Sequence, residues 1–223
     1  MKLGCIKRLA TAGLLIMAGI LHWGLEECRA APPTDVLKEA IHWSISADWL
    51  DPATGGFTVS AYLPLYLFHD ALVKPIPQGL YTPCLAESYT ISPDSKVYEF
   101  KLRRGVKFHN GDPMTAEDVA FSYWRYKAGQ AKFFHGKTEK VEAINPHLIR
   151  YTFKDPFPDF LEYLLPGGKN AIGWVVPKKY VEKVGDAGYK KHPIGAGPYK
   201  FVEFVPGVKL VGEAFEDYWR KVP

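Results

Sequence analysis

Few side chains in this sequence stand at the spacings that chemistry demands. His109 and His135 belong to no H-x-x-x-H or H-x-H pair, and His69-Asp70 has no partner at metal-ligand spacing, so no metal centre is expected. No G-x-S-x-G elbow occurs, which removes the local signature of an esterase-type nucleophile. Glu117-Asp118 is a pair of carboxylates that could do acid–base work on a glycosidic or peptide bond, and it supplies the alternative reading of a secreted hydrolase. Its position just after Thr115 offers a plainer role, because acids in the first turn of a helix favour the positive end of the macrodipole. Gly195-Ala196-Gly197 resembles the opening of a dinucleotide loop. Pro198 stands where the helix should begin and the third glycine is missing, so the run reads as a bend between strands, and no cofactor is expected.

Length and composition narrow the classes further. The chain has 223 residues, 47% hydrophobic and 23% charged, which is a globular balance and allows one large domain or two small ones. Its 28 basic and 24 acidic residues are dispersed, with no Lys/Arg run to track a phosphate backbone, so nucleic acid is not an expected partner. Lys2, Lys7 and Arg8 precede a 13-residue apolar run, Leu9–Leu21, and then the small-residue site ending at Ala30. That run is shorter than the ~20 residues a spanning helix needs, and residues 1–30 read as a cleaved export signal. Cys28 lies where a lipoprotein signal would use a cysteine, but Glu26 and Glu27 before it do not suit a lipobox. After cleavage, 24 basic and 22 acidic residues remain, a net charge of +2. Cys84 is then a lone cysteine, expected as a buried structural thiol and unable to form an internal disulfide.

The elements that must position any site read as mixed α and β, with α/β and α+β both open. Alternation over Glu39–Ile45 suggests a first strand leading to the loop Ser46–Pro52. Residues 61–72 suggest a helix that Pro64 should restrict to start at or just before itself. Tyr89 and Ile91, then Tyr98, Phe100 and Leu102, recur every second residue around Ser92-Pro93-Asp94-Ser95 and predict a hairpin with an aromatic face. A helix should run from Thr115 to about Lys127, with Val119, Ser122, Tyr123 and Tyr126 on one stripe. A second hairpin is expected over Val141–Phe153, a short helix over Asp159–Leu165 and a strand at Ile172–Val176. A helix should follow Pro177, and strands are expected at Tyr199–Phe204 and Val208–Gly212.

The aromatic inventory, 31 of the 193 residues after the signal, needs its own account. Aromatic rings supply core mass, and they also line sites that hold organic solutes by stacking and apolar contact. The periodic Tyr98, Phe100, Phe153 and Phe201 are expected in the core. Trp49, Phe57, Tyr62 and Trp174 fall at loop or element edges and are candidate site residues.

Several motifs in order resemble one family. Leu85-Ala86-Glu87-Ser88-Tyr89 is followed by Tyr98 through Gly111 (YEFKLRRGVKFHNG) and by Met114-Thr115-Ala116-Glu117-Asp118-Val119. Further on come Pro193 through Phe201 (PIGAGPYKF) and Phe215 through Arg220 (FEDYWR). Together they resemble the family 5 extracellular solute-binding proteins, the peptide and nickel receptors of ABC importers; Ala196 departs from them where many members carry Thr. The resemblance implies an α/β, periplasmic binding protein-like fold of class II, cluster C-like type, in which two lobes close on a solute. Because members are about twice as long, it also implies that residues 31–223 are the N-terminal part of the first lobe, that the second lobe is missing, and that the chain is a fragment. It implies a non-enzymatic, monomeric periplasmic protein that delivers peptides or similar small organic solutes to permease subunits with their ATPases. Mapped residue by residue, its cleft contacts are Trp49, Phe57, Tyr62, Asn170 and Trp174. A scaffold or chemoreceptor adaptor keeping the same fold is a further reading.

Overall fold

Alternating and apolar stretches of the sequence become strands and helices in a computed structural model that describes residues 36, 38–42, 44–54, 59–77, 79–127, 129, 131–166 and 172–220. The chain divides into a unit ending at Ile41 and a unit of His42–Pro223; the description below concerns the second. In chain order, a 3₁₀ turn at Ala47–Leu50 precedes helix α1, Val59–Phe68, and strands β1, Val73–Ile76, and β2, Gly79–Pro83. Next come β3, Ala86–Ile91, β4, Val97–Leu102, helices α2, Ala116–Arg125, and α3, Ala131–Lys137, then β5, Thr138–Asn145, and β6, Leu148–Phe153. The last elements are α4, Phe160–Leu164, α5, Lys178–Lys191, β7, Tyr199–Val205, and β8, Lys209–Ala214.

The largest sheet has the order β3-β4-β6-β5, and every strand pair in the described residues is antiparallel. Period-two alternation sets its register. Tyr98 faces Tyr151 and Phe100 faces Ile149, and all four side chains are buried, whereas their neighbours Glu99 and Arg150 pair on the opposite face. The Ser92–Lys96 turn closes the first hairpin: Ser92 Oγ accepts the Val97 N–H at 2.9 Å, and Ser95 takes a left-handed φ of 55°. Against the buried face pack Val119 and Tyr123 of α2 together with Phe134, Phe157, Phe160 and Tyr163, forming one aromatic core. The Tyr98 hydroxyl donates to the Phe157 carbonyl at 2.7 Å, so the ring is buried with its polar end satisfied. Two smaller two-stranded sheets are β1-β2 and β7-β8. No helix among the described residues is long and apolar enough to cross a membrane.

Four expectations are corrected. Helix α1 begins at Val59, five residues before Pro64, because a proline at that position forfeits one backbone hydrogen bond while the neighbouring Ala61, Leu65 and Phe68 are fully buried. The described part of 39–45 carries no strand, since its backbone groups find no partner strand among the described residues. Residues 172–176 form no strand: 172–173 lie in a turn, one bridge joins Trp174 to Ala71, and Leu72 N–H donates to the Gly173 carbonyl at 3.0 Å. Phe201 is half-buried, its ring 5.9 Å from Phe68, rather than a full core residue.

One charged group is buried inside the packing of α2. Arg125, 8% exposed, is held in a fork by Asp51, whose two carboxylate oxygens each accept a guanidinium N–H at 2.6 Å. Asp186 accepts from the same guanidinium at 2.9 and 3.1 Å, and the Tyr189 ring lies beneath it. Such a planar fork suits burial because geometry satisfies charge and hydrogen bonds together.

Candidate functional site

Residues 61–68 are nearly all apolar, so α1 is buried on several sides; Tyr62, Leu63, Tyr66 and Leu67 are half-buried, and the two tyrosines lie one turn apart on one face. The segment 172–176 brings Trp174 against that face. Leu65, Ala71 and Trp174 form a buried cluster with Tyr62 and Tyr66 packed against it. The Tyr66 and Trp174 rings meet edge to face with centroids 5.2 Å apart. The Tyr66 hydroxyl donates to the Pro166 carbonyl at 3.3 Å, and the indole Nε1 of Trp174, which is 1% exposed, has no hydrogen-bond partner among the described residues.

A lysine and a carboxylate complete the cluster. The Lys74 ammonium lies 4.9 Å from the Tyr66 ring centroid and 5.5 Å from that of Trp174, and it pairs with Asp70. Asp70 is fully buried and also accepts the Tyr218 hydroxyl at 2.9 Å and the Trp219 Nε1–H at 2.7 Å. The cation is thereby neutralised; Tyr62 and Tyr66 present a partly exposed, neutral aromatic edge, and the buried Trp174 backs it from inside. Burial, with smaller contributions from Tyr62, Cys84 and Asp70, pushes the Tyr66 phenol up to about 12, so it stays a neutral donor. Such a surface can stack on an organic solute and offer it hydrogen bonds; it has no group poised to break a bond.

Of the five sequence candidates, Tyr62 and Trp174 are brought together here. Trp49 lies half-buried in the 3₁₀ turn and is not part of this cluster. Phe57 and Asn170 lie outside the described residues. Sequence reading passed over Tyr66 and Lys74; the four-residue step from Tyr62 to Tyr66 was the available signal for the first.

The remaining chemical candidates take structural roles. Asp118 accepts the Thr115 N–H at 2.8 Å and the Lys178 N–H at 2.9 Å, so one carboxylate ties down the first turns of both α2 and α5. Glu117 is exposed and pairs with Lys178 at 3.4 Å. Asp118→Ala is expected to cost about 1–2 kcal/mol in urea denaturation, and Glu117→Gln under about 0.5 kcal/mol. Neither change should remove a hydrolytic activity, because assays of the unaltered chain on glycans and peptides should show no turnover. Cys84 is buried, and desolvation first, then Asp70, pushes its thiol up to about 12, which suits packing rather than nucleophilic attack. Gly195-Ala196-Gly197 forms a bend between α5 and β7, not between two strands. No group of three or more His, Cys, Asp or Glu among the described residues is placed to hold a metal ion.

Comparison with known proteins identifies the family and the fold. The family described as bacterial extracellular solute-binding proteins, family 5 Middle, matches residues 81–223. Di/tripeptide-binding protein 2 of Pseudomonas aeruginosa is 31% identical over 82% of this chain and 39% of its own length. The glutathione-binding protein GsiB of Escherichia coli is 31% identical over 92% of this chain and 39% of its own. The crystal structure of NikZ from Campylobacter jejuni in complex with Ni(L-His) superposes with a TM-score of 0.68 at 28% identity, over 85% of this chain and 37% of that one. The chain thus spans about 39% of the length of these curated relatives. The fold is that of periplasmic binding proteins, and the chain belongs to the bacterial extracellular solute-binding proteins of family 5.

Proposed function

We propose that this chain is part of the substrate-binding component of an ABC importer, capturing peptides or similar small organic solutes outside the cytoplasm and delivering them to membrane permease subunits. The observation that carries this reading is the pair of half-buried rings Tyr62 and Tyr66 on α1, backed by the buried Trp174 of the 172–176 segment. Relatives named for di- and tripeptides and for glutathione support peptide-like solutes, and the basic and apolar residues 1–30 support export through a cleaved signal. Residues 31–223 would contribute one wall of the solute cleft, with Trp49, Phe57 and Asn170 as further contacts on that wall. The closed, solute-loaded form would be the one recognised by the permease.

Calorimetric titration with di- and tripeptides, glutathione and nickel–histidine tests this reading. Heat of binding is expected for at least one of these solutes, with Tyr62→Ala weakening it at least fivefold and leaving the melting temperature nearly unchanged. Binding to none of them, together with cleavage of any peptide in the set, would overturn it.

A further inference from the structure

Gly195 lies between the Nδ1 atoms of two histidines, the buried His69 and the half-buried His109. On one side His109 makes three hydrogen bonds to the bend: its backbone N–H donates to the Gly195 carbonyl at 2.9 Å, its Nε2 bonds the Gly197 carbonyl at 3.0 Å, and its Nδ1 accepts the Gly195 N–H at 3.2 Å. On the other side His69, fully buried, bonds the Leu50 carbonyl through Nε2 at 3.2 Å. Its Nδ1 has no partner among the described residues and would stand 2.5 Å from a Cβ placed on Gly195.

This arrangement fixes both tautomers. A carbonyl can only accept, so each Nε2 carries the hydrogen and each Nδ1 is bare. A proton added to His109 would set an N–H against the Gly195 N–H; one added to His69 would bury a donor with no acceptor. Burial accordingly depresses His109 to about 4 and His69 to about 3. The facing charges act mostly in the same sense. Lys200 on β7 disfavours a cation at His109, and Arg125 on α2, Lys74 on β1 and His109 itself disfavour one at His69; Asp70 acts oppositely on His109. The rings of Phe215 against His109, and of Tyr189 and Trp174 against His69, add no compensating charge.

The bend so held is the leading attachment of a marginal element, whose trailing end is tied by Tyr218 and Trp219 to Asp70. A two-stranded β7–β8 sheet is weak alone. It joins the end of α1 through the Gly197 N–H to Phe68 carbonyl bond at 3.1 Å and the Phe68–Phe201 ring contact. We propose that His69 and His109 form an acid-labile clasp on Gly195 that loosens the leading end of the β7–β8 hairpin from the end of α1 in mildly acidic solution. The opened segment takes up protons near the ordinary histidine value of about 6.5, whereas the closed one does so only near 4 or below. Closure is therefore fully favoured above about pH 6.5 and weakens as the pH falls below it. Loosening of Tyr62 and Tyr66 on α1 would follow only if the solute-binding reading holds; the clasp itself does not depend on it.

Hydrogen exchange read by mass spectrometry, corrected for the intrinsic pH dependence, tests the clasp on the whole chain. Between pH 7 and pH 5, protection over 195–214 should fall about twentyfold for each histidine released, while 86–102 keeps its protection. His109→Gln keeps a donor and an acceptor but cannot take a proton, so one of those factors should vanish. An equal fall in the variant, or a fall shared uniformly by 86–102, would refute the clasp. Should the variant fail to fold, nitrogen NMR of the unaltered chain decides. A neutral His109 with hydrogen on Nε2 and a midpoint below 5 supports the clasp, and an ordinary midpoint near 6.5 or the opposite tautomer overturns it.

Discussion

Gly195→Ala is expected to lower the stability of the chain by about 3 kcal/mol or more, read as a shift of the urea midpoint without a change in slope. The added Cβ would lie 2.0 Å from the Phe68 carbonyl oxygen and 2.5 Å from His69 Nδ1. Neither neighbour can step aside cheaply, since one is backbone at the end of α1 and the other is a fully buried ring. The comparison is Gly111→Ala. There φ is +86° and nothing lies within 4 Å of the new carbon, so the cost is the left-handed backbone alone, about 1–2 kcal/mol. If the two substitutions prove equal, close packing at the 195–197 bend is not what Gly195 supplies.

Asp51→Ala should be of similar size, about 3–5 kcal/mol, because it strands Arg125 inside the protein with only Asp186 to answer it. For a chain of this length that corresponds to a melting temperature lower by roughly 6–20 °C. Most of the loss is expected to be the uncompensated charge rather than the worth of the pair. The double variant Asp51→Leu, Arg125→Met should therefore recover much of it. A double variant as unstable as the sum of the single changes would show that the ion pair itself, and not its imbalance, holds α2 to the residues before α1.

Much of the fold was legible because local patterns carry it. Period-two alternation placed β3, β4 and β6, and Thr115 with the acids after it placed the start of α2. The failures share a cause, since each depended on a partner remote in sequence. Pro64 sits inside a helix because burial of its neighbours outweighs one lost hydrogen bond. Trp174 is a candidate site residue in the sequence, and its burial depends on the pairing of residues 173–175 with 70–72, which no local pattern shows. For the candidate site, sequence named Tyr62 and Trp174 but could not see that they meet, nor that Asp70 reaches Tyr218 and Trp219 near the other end of the chain. A buried charge network leaves no periodic trace.

The strand order β3-β4-β6-β5 also bears on how fast the chain folds. Each outer pair is a hairpin closed by a short turn and can form within microseconds, but the two hairpins join only where β4 meets β6, across the intervening residues 103–147 with α2 and α3. Closing that long loop is an entropic cost met before Tyr98 and Phe100 gain their neighbours Tyr151 and Ile149. The central seam, rather than either hairpin, is thus the slow step, and until it closes the aromatic faces of both hairpins stand open to one another's counterparts on other chains.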